Sequence, residues 1–180
     1  MKKWLFLILL FPLICVAQTY RYLGVEDGLS NRRVYCIQKD KTGYMWFLTH
    51  EGIDRYNGKE FKRYKLMDGD AEVNSLLNLN WLYIDQEGVL WEIGKKGKVF
   101  RYDQIHDCFS LVYKLPMESF SEQPDPVTYA WLDQNKHIWL CNKDTIFLYN
   151  TDTKQVTHIK NDISEEITDI EQIDESHFFI

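Results

Sequence analysis

The chain has 180 residues, long enough for one domain or a piece of a larger protein and too short for a complete multidomain signalling enzyme. Hydrophobic residues make up 45% and charged residues 27%, which excludes wholesale disorder, and the aromatic content of 15% favours strands and sheet-to-sheet cores. Lys plus Arg is 21 against 27 for Asp plus Glu, a net charge of −6 with no long basic run, so a nucleic-acid backbone is not an expected partner; collagen, coiled coil and disulfide-dense miniprotein are excluded by composition.

The chain opens with Met1-Lys2-Lys3, an apolar run from Trp4 to Val16, then Ala17-Gln18. Two lysines, a short apolar stretch and small residues at Cys15 and Ala17 predict a secretory signal over residues 1–17, cut between Ala17 and Gln18. A membrane-spanning helix needs about 20 apolar residues, and this run is shorter and interrupted by Pro12. A lipid anchor at Cys15 is the minor alternative, since Pro12-Leu13-Ile14 lacks the small residue such a cut prefers. The mature chain is therefore expected to be soluble and extracytoplasmic.

The mature sequence repeats. An Asp followed six residues later by Trp occurs at Asp40–Trp46, Asp85–Trp91 and Asp133–Trp139, and Asp174 begins a fourth with Ile180 in the Trp position. A tyrosine follows each Trp by ten or eleven residues, at Tyr56, Tyr102 and Tyr149. In the first repeat, Val34–Ile37 predicts a strand, Asp40–Gly43 a turn, Tyr44–Thr49 a strand, His50–Gly52 a turn and Ile53–Tyr56 a third strand. Asn57-Gly58 predicts a type I′ hairpin, and Phe61–Leu66 a fourth strand. One helical turn is expected around Glu72–Leu77, and Glu118–Pro126 is expected to be loop. Four short antiparallel strands per repeat is the size of a propeller blade. The expected fold class is all-β: blades at about 34–66, 79–115 and 127–160, the start of a fourth at 167–180, and an incomplete propeller overall.

Blades are apolar on both faces because each packs between two neighbours. Trp46, Trp91 and Trp139 are therefore assigned to inter-blade core rather than to a ligand platform, and Trp81 and Trp131, on first strands, are likewise expected to be buried. Cys36, Cys108 and Cys141 remain after the signal; their spacing fits no metal or redox motif, Cys36 and Cys141 fall in apolar runs, and a disulfide between two of the three stays open.

The segment Tyr20–Tyr64 resembles the two-component regulator propeller family. The residues that carry the resemblance are Glu26-Asp27-Gly28-Leu29-Ser30-Asn31, Val34, Ile37, Asp40, Gly43, Trp46, Thr49, Gly52, Ile53, Arg55-Tyr56-Asn57-Gly58, Phe61 and Tyr64. Later repeats depart from it, with Gly94 and Asn142 at the Thr49 position and Thr145 at the Gly52 position. The resemblance implies the periplasmic sensor region of a hybrid histidine kinase, with glycan-derived ligands, dimeric signalling, and further blades, a membrane helix and a kinase in a longer parent. It implies ligand-facing loops at His50-Glu51, Lys95-Lys96 and Lys143-Asp144, without singling out any one residue. Ile180 falls within the second strand expected of the fourth blade, so the chain is expected to be an N-terminal fragment of such a sensor.

Nucleophile elbows, zinc motifs, phosphate loops and Cys-x-x-Cys pairs do not occur. Asp40-x-x-Gly43-x-x-Trp46 differs from the sialidase motif and is assigned to a turn. The acidic run Asp162, Glu165, Glu166, Asp169 and Glu171 has Ile163, Ile167 and Ile170 where a calcium loop needs oxygen ligands, so a solvated inter-blade loop is expected. No catalytic, cofactor or metal residues are assigned. The leading expectation is a non-catalytic sensor input module. The alternatives are a stand-alone carbohydrate-binding or carbohydrate-cleaving propeller and a nonfunctional truncated remnant.

Overall fold

The computed structural model describes residues 20–73, 79–115, 126–162, 165–174 and 176–180. The expected signal and its cut at Ala17–Gln18 lie outside these residues, as does most of the connection after Glu118. Aromatic and β-branched runs form four-stranded antiparallel meanders, joined by turns at the predicted Asp positions.

The first sheet is β1 (Val34–Lys39), β2 (Met45–Thr49), β3 (Gly52–Tyr56) and β4 (Phe61–Tyr64), in chain order. The short strands β5 (Leu66–Asp68) and β6 (Ala71–Val73) precede the second meander, β7 (Leu79–Ile84), β8 (Leu90–Gly94), β9 (Lys98–Asp103) and β10 (Cys108–Lys114). The third is β11 (Tyr129–Leu132), β12 (His137–Cys141), β13 (Thr145–Asn150) and β14 (Val156–Lys160), and β15 (Glu171–Gln172) pairs with β16 (Phe178–Phe179) beyond it. The first strands of successive sheets pack on one another, β1 on β7 and β7 on β11, so the sheets fan outward as propeller blades. The described part of the ring is open: the sheets stack one after another and none closes on the first.

Strand alternation gives each blade two apolar faces, and the faces between successive blades are buried. Trp46, Leu48, Ile53 and Tyr64 of the first blade meet Leu82, Leu90, Phe100, Tyr102 and Phe109 of the second. Trp91, Ile93 and Val99 turn the other way, onto Ala130, Ile138, Leu140 and Tyr149 of the third. Trp139, Cys141 and Ile146 then meet Ile167 and Ile170.

Three local expectations change. The Asn57-Gly58 hairpin is not type I′: Tyr56 pairs with Phe61 across a four-residue loop, and only Gly58 takes a positive φ. Asn57 instead accepts the amides of Lys59 and Glu60 through Oδ1, both at 2.8 Å, so its side chain closes the turn in place of left-handed backbone. Glu72 and Val73 are in strand β6 rather than a helical turn, and the rest of that expected turn lies outside the described residues. Leu66 leaves the first sheet: β5 runs parallel to β10 with Leu66 opposite Phe109, covering the outer edge of the second blade.

Candidate functional site

The repeated Asp–Trp pair is a built joint. Asp40 Oδ1 accepts the amides of Thr42 (2.9 Å) and Tyr44 (3.0 Å), while Oδ2 accepts the indole Nε1–H of Trp46 at 2.8 Å. Asp85 holds Trp91 and Asp133 holds Trp139 in the same way, each at 2.9 Å. One carboxylate thus fixes both the β-turn and the only polar group of a buried ring. Burial works to raise the Asp40 carboxyl, but the bonds from Thr42, Trp46 and Tyr44 outweigh it and hold the group below its ordinary value. Gly43 and Gly88 take the left-handed position of this turn; in the third repeat Lys136 occupies it at φ +65° and its ammonium ties Glu87 to Asp152.

The second repeat marker completes the joint from the next blade. Tyr102 meets Trp46 edge-on with ring centroids 5.0 Å apart, and Tyr149 lies in one cluster with Trp91. In the incipient fourth blade Phe178 meets Trp139 at 4.7 Å. A further link recurs on the first strands: Gln38 donates to Leu82 O at 3.1 Å, and Tyr83, at the equivalent position, donates to Ala130 O at 2.6 Å. These tryptophans are core, and Trp81 and Trp131 are half-buried against the same joints.

Docking of the N-terminal segment explains the Asp-Gly-Leu-Ser-Asn motif. Asp27 accepts the Gly24 amide at 2.9 Å, and Leu29 is buried with Phe47 and Tyr56. The Ser30 hydroxyl donates to Asp54 Oδ2 at 2.6 Å and lies 2.8 Å from Thr49 Oγ1, and its amide reaches Asp54 at 2.8 Å. Burial raises the Asp54 carboxyl, and the Ser30 bonds oppose that rise. Asn31 donates to Glu51 at 3.1 Å. The motif therefore straps the incoming chain to the face of blade one that looks away from blade two. Sequence reasoning identified these residues by resemblance alone and gave them no role.

The expected ligand-facing loops are the second turns of the blades, at the end opposite the Asp turns. His50 Nδ1 lies 2.9 Å from the Tyr35 hydroxyl, and Glu51 is bound by Asn31 and Arg63. Lys95, Lys96, Lys143 and Asp144 are exposed at the corresponding turns, and Asn161 donates to Lys143 O at 3.0 Å. At the Asp-turn end, a cleft of about 550 Å³ between blades one and two was not foreseen; it is lined by Asp40, Tyr44, Trp46, Arg55, Tyr102 and Asp107. Arg55 sits 4.5 Å over the Tyr44 ring, and Tyr102 donates to Asp107 at 2.6 Å. Burial opposes ionisation of Asp107, but Lys62, Tyr102 and Tyr64 hold its carboxyl far below the usual range. Arg55, Tyr102 and Asp107 thus bond one another across the joint.

Among the described residues no cluster of His, Cys, Asp and Glu could hold a metal ion. Asp162, Glu165, Glu166 and Asp169 are exposed, while Ile167 and Ile170 are buried against blade three. Cys36, Cys108 and Cys141 are free thiols, and burial pushes the Cys141 thiol up to about 12. No helix among the described residues is long and apolar enough to cross a membrane.

Fold and joints together define an open segment of a β-propeller. Residues 28–51, from the docking motif through β2, match the family model described as two component regulator propeller. No curated protein matches the chain. Among solved structures, the chain is 29% identical to the extracellular domain of the hybrid two component system BT3049 from B. thetaiotaomicron, with a TM-score of 0.60, covering 78% of this chain and 20% of that one. For the extracellular domain of the hybrid two component system BT4673 from the same organism the identity is 20%, the TM-score 0.64 and the coverage 87% and 21%. A virginiamycin B lyase from Staphylococcus aureus is similar in fold alone, at 17% identity and TM-score 0.57, over 79% of this chain and 46% of that one. The chain thus spans about a fifth of the length of these two extracellular domains.

Proposed function

We propose that this chain is part of the extracytoplasmic input region of a hybrid two-component sensor and that it contributes binding surface rather than catalysis. The observation that carries the reading is the 29% identity to the extracellular domain of a hybrid two component system, over 78% of the chain, together with the family match at residues 28–51. The side chains support a non-catalytic role, because the repeated carboxylates Asp40, Asp85 and Asp133 are spent on turns and on the indoles of Trp46, Trp91 and Trp139. The ligand class proposed is a glycan-derived oligosaccharide, from the family resemblance. Sugars are held by planar hydrogen-bonding groups beside aromatic rings, and Tyr35, His50, Asn31 and Glu51 at the second turn of blade one offer that chemistry. The proposed partners are further blades, a kinase in a longer parent and a second sensor copy. Secretion through cleavage at Ala17–Gln18 belongs to the same reading.

The test is calorimetric titration of the chain, and of the complete reading frame that contains it, with oligosaccharides from enzymatic glycan digests. Saturable heat with the sugar unchanged is expected. Appearance of new reducing ends would replace the sensor with an enzyme. Absence of heat from every digest would remove the glycan assignment.

A further inference from the structure

Glu92 stands in the middle of β8 and is 0% exposed, and neither carboxylate oxygen has a hydrogen-bond partner. Its neighbours across the sheet are Leu82 of β7 and Phe100 of β9, both buried on the face turned toward blade one. The residue following the repeat Trp is Phe47 in blade one and Leu140 in blade three, so an acid occupies an apolar slot of the repeat. The titratable and charged groups on this joint are Cys36 of β1, Tyr44 just before β2, Arg55 of β3, Tyr64 of β4, and Lys98 and Tyr102 of β9, with Asp107 beyond Tyr102 and Lys98 paired to Asp68 of β5. Arg55, Tyr102 and Asp107 bond one another at the Asp-turn end, and Cys36 bonds Leu82 O; none pairs with Glu92. An ionised carboxylate in such a site has no counter-charge and no donor, whereas the neutral acid loses only its hydrogen bonds.

We propose that Glu92 makes the joint between the first and second blades a pH-sensitive seam, closed while its carboxyl is protonated and loosened when the proton leaves. Burial alone pushes the group well above its ordinary value of 4.5. A raised folded value gives stability that is fully present below 4.5 and is lost as the pH rises through the folded value. The seam depends only on the blade packing and stands apart from the sensor reading.

The test compares the full chain with Glu92→Gln, which cannot ionise, and Glu92→Leu, which restores the residue of blade three. Urea denaturation between pH 5 and pH 9 is expected to show the folded-to-unfolded ratio of the native chain falling about tenfold per pH unit relative to either variant, up to the folded value of Glu92. If Glu92→Gln fails to fold, Glu92→Leu serves as the reference. Infrared spectroscopy of the native chain at neutral pH is expected to show a protonated carboxyl band that both variants lack. At pH 9, amides of β1 and β7 are expected to exchange faster in the native chain than in Glu92→Leu. Parallel stability curves, absence of the carboxyl band, or equal exchange at β1 and β7 would each overturn the proposal.

Discussion

Asp40→Ala separates the turn from the ring it holds. The substitution removes the acceptor of two turn amides and of the Trp46 indole N–H, on a residue 1% exposed. A buried donor left unpaired costs about 1–3 kcal/mol, and the lost turn bonds add roughly 1 kcal/mol. The expected loss is therefore about 2–4 kcal/mol, a large share of the stability of an ordinary domain. Trp46→Phe removes the donor and keeps an aromatic ring against Tyr64, Tyr102 and Phe109. In that background Asp40→Ala should cost only the turn term, roughly 1 kcal/mol. Urea denaturation of the four chains, followed by far-ultraviolet circular dichroism, reads the coupling directly. Costs that add within about 0.5 kcal/mol would refute the bridge between turn and ring. The pH dependence gives a second reading. Burial pushes the Asp40 carboxyl up, but hydrogen bonds hold it below 3.8, so its contribution is present above 3.8 and is lost as the pH falls through the folded value. The gap between native chain and Asp40→Ala should narrow in acid.

Ser30→Ala strips one of two donors from buried Asp54, whose Oδ1 has no partner, and should cost about 1–3 kcal/mol in urea denaturation; an unchanged midpoint would deny the motif its docking role. Gly97→Ala places a methyl against the Leu115 side chain at φ +67° and should destabilise by about 1–3 kcal/mol, whereas Gly58→Ala, at φ +92° in open space, should cost only about 1 kcal/mol; equal midpoints would contradict the packing of Leu115. Ile37, 51% exposed, occupies the repeat position at which Leu82 is 1% and Ala130 0% exposed. Ile37→Lys should therefore change the chain's stability by no more than about 0.5 kcal/mol, while Leu82→Lys should cost several times more in the same denaturation assay. In a longer chain that seats a blade on β1, Ile37→Lys should become the costly substitution, and its continued neutrality there would argue against closure at that face.

What could be read from the sequence follows from which interactions are local. Asp40 and Trp46 stand six residues apart across one turn, so their bond recurs in register wherever the turn recurs, and the repeat was visible without coordinates. Asn57-Gly58 misled because the same two residues serve a two-residue turn through backbone angles or a four-residue loop through the Asn57 side chain, and only the pairing of Tyr56 with Phe61 decides between them. Strands β5 and β6 were missed because their stability comes from the distant edge of β10, and a segment three residues long carries no period of its own. In the sequence Glu92 is one polar residue within the apolar run Val89–Ile93, yet its register with Phe47 and Leu140 marks it as an acid in a core slot. Its counterpart is Ile37, an apolar residue left exposed where Leu82 and Ala130 are covered. Alternation assigns a residue to a face; only the neighbouring blade determines whether that face is wet. A propeller repeat therefore reveals its joints in sequence, while the residues that break the pattern at a joint, one acid inside and one aliphatic outside, acquire meaning only when the stacking order is known.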